Sequence, residues 1–194
     1  VEDGEHVKAG TLLVSYLECE SRPDWEAYYG PSRREYTIPN NVTTISAGAL
    51  QRCPFKKLTI PKTVKYIGND QYFSNAAEFV ISPENEFYES RDNAIIEKKN
   101  KKLLHWFGKE KDIVIPQGVE IIGERAFDFY GFKSLVIPEG VKCIETHAFW
   151  CSIQGYTIYL PSSLCYVATD AFYDLNGQRD SYCEYNIYVP HGLK

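Results

Sequence analysis

The chain has 194 residues, 44% of them hydrophobic and 24% charged, with a formal net charge of −5. This is the composition of a folded globular protein, long enough for one domain or for a run of small units sharing a core, and it excludes wholesale disorder. No apolar run reaches the roughly 18 residues of a membrane helix, and no basic stripe could neutralise a row of phosphates, so neither a transmembrane segment nor a nucleic-acid partner is expected.

The sequence begins at Val1 and contains no methionine. It therefore reads as a processed or engineered piece from which any signal peptide has gone. Residues 1–34 fit poorly the repeat that organises the rest of the chain. Ala9 to Leu17 is apolar enough to pack, and the stretch from Glu18 to Arg34 is irregular and aromatic, with Trp25, Tyr28 and Tyr29. This segment is expected to cap the open end of a stack formed by the rest of the chain.

From residue 35 the chain repeats itself. YTIPNNVTTISAGAL (36–50) and LTIPKTVKYIGNDQYF (58–73) share one template, and EFVIS (78–82) is a degenerate strand with Ser82 where proline would stand. An insert near 83–112 comes next. Within it NAIIEK (93–98) and KLLHWF (102–107) flank the polar turn KNK, the pattern of a β-hairpin. The template then returns as IVIPQGVEIIGERAF (113–127), LVIPEGVKCIETHAF (135–149) and IYLPSSLCYVATDAF (158–172), and IYVPHGL (187–193) starts once more. Pro39 to Pro61 and Pro116 to Pro138 are 22 residues apart, and Pro138 to Pro161 is 23. A fixed period of this length points to a solenoid of about six units.

Each unit has a physical reading. Apolar residues two apart before the proline, such as Leu135 and Ile137, mark a short strand with one buried face. Proline ends the strand, and the Gln-Gly, Glu-Gly or Asn-Asn after it makes a turn. Val141 and Ile144 then point inward, and the pair Ala148-Phe149 plugs the far side. Stacked coils would carry their strands at about 4.8 Å per rung. A parallel sheet, an Ile/Leu column beneath it and a Phe column opposite are the expected result, in a right-handed coil.

The pattern IPxxVxxIgxxAFxxC, with its period near 23, resembles the BspA-type leucine-rich repeat of secreted and surface proteins of gut and oral bacteria and some protists. The insert PENEFYESRDNAIIEKKNKKLLHWF is similar to a segment that often interrupts such arrays. The resemblance covers about residues 35–194. Its departures are Leu50 for Phe, Tyr72 for Ala and the missing proline at 82. It implies a mostly β leucine-rich-repeat-like coil with short helical turns opposite the sheet. It also implies an extracellular or cell-surface location, a protein or glycan ligand, no cofactor and no catalytic residues. The alternative is a structural spacer in a larger surface protein, with no ligand of its own.

Cys143, His147 and Cys151 stand four apart, the spacing of three soft metal ligands on one helical face. The repeat leaves no room for a helix across 143–151, so no metal is expected there, and no Cys-His nucleophile either, since the sequence shows neither an orienting group nor an oxyanion hole. His6, His105 and His191 are scattered, and no HExxH, GxSxG or phosphate-binding glycine loop occurs. The six cysteines could form a disulfide framework, but their loose spacing and the chain length favour free, largely buried thiols. Asn41-Val42-Thr43 matches a glycosylation sequon, relevant only to a eukaryotic secretory source.

The remaining candidate is the outward face of the strands. One outward column reads Thr37, Thr59, Val80, Val114, Val136, Tyr159 and Tyr188. Its neighbour reads Glu35, Lys57, Glu78, Asp112, Ser134, Thr157 and Asn186. The first turns apolar and then aromatic toward the C-terminal end. Val114, Val136, Thr157, Tyr159, Asn186 and Tyr188 are the candidate binding residues. The competing explanation is that β-branched and aromatic residues simply suit strands.

Overall fold

The computed structural model describes residues 11–13, 34–46, 49, 55–68, 78–108, 112–127, 134–149, 157–172 and 186–190. The fold is a mostly-β solenoid, and the regular elements among the described residues are all strands. The chain divides into two units, residues 1–93 and 94–194.

The first unit holds β1 (Thr11–Leu13), β2 (Arg34–Thr37), β3 (Val42–Ile45), β4 (Phe55–Ile60), β5 (Tyr66–Ile67), β6 (Phe79–Ile81) and β7 (Tyr88–Arg91). Two parallel ladders form, β1-β3-β5 and β2-β4-β6. Thr37, Thr59 and Val80 share one register position. Of the expected cap, 1–34, only 11–13 and 34 are described, and β1 adds a parallel rung beside β3.

The second unit holds β8 (Ala94–Glu97), β9 (Lys102–Trp106), β10 (Asp112–Val114), β11 (Ile121–Ile122), β12 (Ser134–Val136), β13 (Cys143–Ile144), β14 (Thr157–Tyr159), β15 (Tyr166–Val167) and β16 (Asn186–Tyr188). Its strands before the prolines form the parallel ladder β10-β12-β14-β16, and those after the turns form β15-β13-β11-β9. β8 and β9 pair antiparallel, Ala94 facing Trp106, while β9 runs parallel to β11.

The prolines stand where the template needs them. In every described coil the residue three after the proline donates its N–H to the proline carbonyl, as in Val42 to Pro39 at 3.0 Å and Val141 to Pro138 at 3.4 Å. Gly118 and Gly140, third in their turns, take φ of 85° and 102°, a conformation that favours glycine. Ser82 keeps the turn without proline, accepting from Asn85 N at 2.9 Å.

The core of the second unit is built from columns. Ile113, Leu135 and Ile158 are buried under one ladder, and Val119, Val141 and Leu164 come after the turns. Opposite them Phe127, Phe149 and Phe172 stack, with centroids 5.1 Å apart at both steps and planes within 9°. Trp106 continues this column, 6.1 Å from Phe127, and its N–H donates to Ala126 O as Phe127 N does to Ala148 O. The His105-Trp106 pair therefore fills the Ala-Phe slot of its own rung, a role that KLLHWF does not advertise.

Opposite the sheet, where short helical turns are expected, the described residues make single turns closed by Ala126 N to Gly123 O and Ala148 N to Glu145 O. Arg125 and His147 explain this. Their φ values of 54° and 52° lie in the left-handed region, which a right-handed helix cannot continue through.

Candidate functional site

In the second unit the outward column is in register as the alternation requires. Val114 pairs with Val136, Val136 with Tyr159, and Tyr159 with Tyr188. Asp112, Ser134, Thr157 and Asn186 form the adjacent column. Between the two, Leu135 and Ile158 turn inward and are wholly buried, which obliges their neighbours to face out.

Three residues of the first column are open to solvent. Val136 is 62% exposed, Tyr159 43% and Tyr188 54%. Asn186 is also exposed, while Ser134 and Thr157 are half-buried. The two tyrosine rings stack on each other with centroids 4.9 Å apart and planes 15° from parallel. In the first unit the same position is polar or only half-buried: Thr37 is exposed, and Thr59 and Val80 are intermediate. The apolar strip therefore belongs to the second unit.

The other ladder of the second unit has a different character. Glu120 accepts from Lys101 and Lys142 at 2.6 and 2.7 Å, and Lys102 pairs with Glu145 at 2.6 Å. The two lysines hold the Glu120 carboxyl down at about 2. Glu139 reaches the next coil, accepting from the backbone N–H of Ser162 and Ser163. These are ties between coils, and the sequence signals them only faintly: Glu120 and Lys142 stand one period, 22 residues, apart. Tyr66 and Tyr166, on the strands after the turns, are also exposed, and no alternation in those short strands singles them out.

Cys143 lies in β13, His147 at a left-handed turn position and Cys151 outside the described residues. Burial pushes the Cys143 thiol up, with Glu145 adding to the effect and Lys102 opposing it. The thiol thus stays protonated and is a poor nucleophile. Half-buried His147 faces Asp170 at 3.5 Å. Among the described residues no group of three metal-ligating side chains converges.

The cysteine expectation needs one correction. Cys143 and Cys165 are free, but Cys165 is exposed rather than buried. Its N–H donates to Lys142 O as Lys142 N donates to Glu120 O, so it occupies a surface position that the two preceding coils fill with charge. Cys19, Cys53, Cys151 and Cys183 lie outside the described residues. No helix among the described residues is long and apolar enough to cross a membrane.

Three solved structures resemble this chain. The pneumococcal vaccine antigen PcpA is 25% identical with a TM-score of 0.55, over 63% of this chain and 32% of its own. A leucine rich cell surface protein from Faecalibacterium prausnitzii A2-165 is 23% identical with a TM-score of 0.55, over 69% of this chain and 43% of its own. A leucine-rich repeat protein from Eubacterium ventriosum ATCC 27560 is 19% identical with a TM-score of 0.53, over 68% of this chain and 45% of its own. The chain thus spans less than half the length of each. Among curated proteins none matches. The family model described as the BspA type leucine rich repeat region matches six copies over residues 24–103 and 100–188, and with the periodic prolines, turns and stacked columns already in place, the chain belongs to the BspA-type leucine-rich repeat family.

Proposed function

We propose that this chain is a non-enzymatic binding module of a secreted or cell-surface protein, engaging a protein or glycan ligand through the β10-β12-β14-β16 face. The observation that carries the reading is the exposed row of Val136, Tyr159 and Tyr188. Val114 extends it in register, and Thr157 and Asn186 lie beside it. Aromatic side chains on a surface combine large apolar area with a polar tip, the chemistry enriched at interfaces. The family membership and the likeness to a leucine rich cell surface protein support a surface role.

A spacer without a ligand is the second reading. The Tyr159–Tyr188 stack favours it to the extent that cross-strand aromatic pairs stabilise a sheet by themselves. The doubly substituted Tyr159→Ala/Tyr188→Ala chain separates the two. Arrays of host matrix proteins and bacterial surface glycans are probed with parent and variant, and both are melted. Binding lost with unchanged melting supports the module. A lower melting temperature with no ligand found for the parent supports the spacer and sinks the proposal.

A further inference from the structure

We infer that the chain carries a second binding surface, a basic patch at the β8-β9 turn that takes an anionic polysaccharide. Residues 98–101 close the hairpin between the paired Glu97 and Lys102. Lys98, Lys99 and Lys101 are exposed there, and Lys101 takes a left-handed φ of 51°. The Asn100 amide donates to Glu97 Oε2 at 2.7 Å and ties the tip back onto its strand. Coil stacking then adds a further cation. Lys101 reaches Glu120 Oε1 at 2.6 Å, and Lys142, from the next coil, reaches Glu120 Oε2 at 2.7 Å. One carboxylate therefore serves two lysines, 58% and 57% exposed, and leaves one positive charge over. Lys102 and Glu145 cancel each other at 2.6 Å. The turn and the side chains tied to it thus hold five lysines and three carboxylates, on a chain whose net charge is −5.

At about 0.1 M salt, charges more than about 10 Å apart are largely screened, so an anion at the turn meets the local excess of lysine instead of the acidic whole. Lysine offers a mobile point charge with three donors on a flexible stem, which suits sulfate or carboxylate groups on a flexible polymer without demanding one geometry. The turn itself, EKKNKK (97–102), disfavours other polyanions. It has no aromatic ring on which a base could stack and no apolar side chain to enter a bilayer. The patch lies on the β9-β11-β13 ladder, apart from the strands of the apolar strip, and it stands whether or not that strip binds.

The test uses the whole chain on immobilised dextran sulfate, with neutral dextran, phosphatidylserine vesicles and single-stranded DNA as alternatives. The parent is expected to bind dextran sulfate at about 0.1 M salt and at least about tenfold more weakly at about 1 M, where the screening length is about 3 Å. Lys98→Glu/Lys99→Glu should weaken binding at least about tenfold, with melting unchanged because both side chains are exposed. Lys56→Glu/Lys65→Glu alters two exposed lysines of the first unit, changes the net charge equally, and should shift affinity by less than about twofold. Glu120→Gln releases Lys101 and Lys142 and should tighten binding by at least about twofold. Equal losses in the two double variants would show that net charge governs binding, and would overturn the inference. So would no binding of dextran sulfate by the folded parent, no tightening in Glu120→Gln, or binding of neutral dextran, vesicles or DNA as tight as that of dextran sulfate.

Discussion

Asn85 offers the sharpest test of how the repeat accommodates its insert. In register terms it takes the place of Val42, Val64, Val119 and Val141, yet it is 1% exposed. Its Nδ2 donates to Pro61 O at 3.0 Å and Val64 O at 2.9 Å, and its Oδ1 accepts from Phe87 N and Tyr88 N, both at 2.8 Å. Every hydrogen-bonding group of the amide is used, and the contacts tie the turn of one coil to the start of β7. Asn85→Val restores the residue that the template prefers. If packing alone governed the site, valine would stabilise it by roughly 1.5 kcal/mol. Against that gain stands the loss of four hydrogen bonds at about 1 kcal/mol each, so a net destabilisation of roughly 2–3 kcal/mol is expected. Urea unfolding monitored by circular dichroism measures it as a lower midpoint at unchanged slope. A midpoint equal to or above that of the parent would refute the reasoning.

Phe149 is sandwiched between Phe127 and Phe172, so Phe149→Ala should destabilise by about 3–5 kcal/mol and Phe149→Leu by much less in thermal melts. His105 stands at the position of the buried alanines, and burial lowers its pKa from 6.5 to about 3. The unfolded chain takes up the proton first, so stability falls as pH drops from about 6.5 toward 3, by up to about 1.4 kcal/mol per pH unit. Urea midpoints between pH 7 and 5 (about the upper half of that window) should slope for the parent and flatten for His105→Ala. Glu120 is depressed in the folded state, so its contribution is present above the ordinary carboxylate range and lost as pH falls toward about 2. Glu120→Gln should remove that acid-side slope, with a small effect that shrinks further in high salt because both lysines are exposed. Gly140→Ala should cost about 1 kcal/mol through its positive φ alone, since no atom lies within 4 Å of the added Cβ.

Much of the molecule is legible in the residues. The Ile-Pro-x-Gly-Val pattern fixes strand, turn and inward pair together, because proline cannot donate, glycine tolerates positive φ and apolar alternation selects a face. The parallel register is then a consequence, since the template restarts in each coil and brings Val136, Tyr159 and Tyr188 into line although the steps between them are 23 and 29 residues. The helical turns are less legible, because residues such as Glu124 and Arg125 suit a helix locally. Arg125 instead takes a left-handed φ of 54°, which residue type alone does not announce. His105 looks like a scattered histidine in the sequence, since nothing local marks a rung that reaches the Phe column by a shorter path than its siblings.

The sequence by itself determined the period, the coil chemistry and the family, because those depend on side-chain type at fixed spacing. Tertiary structure decided what spacing cannot encode. It stacked the two tyrosines of an alternating column on each other, placed His105 and Asn85 in the core, and brought Cys165 to the surface. In each case the deciding quantity is the distance between residues about one coil apart in sequence, and that distance exists only once the coils stack.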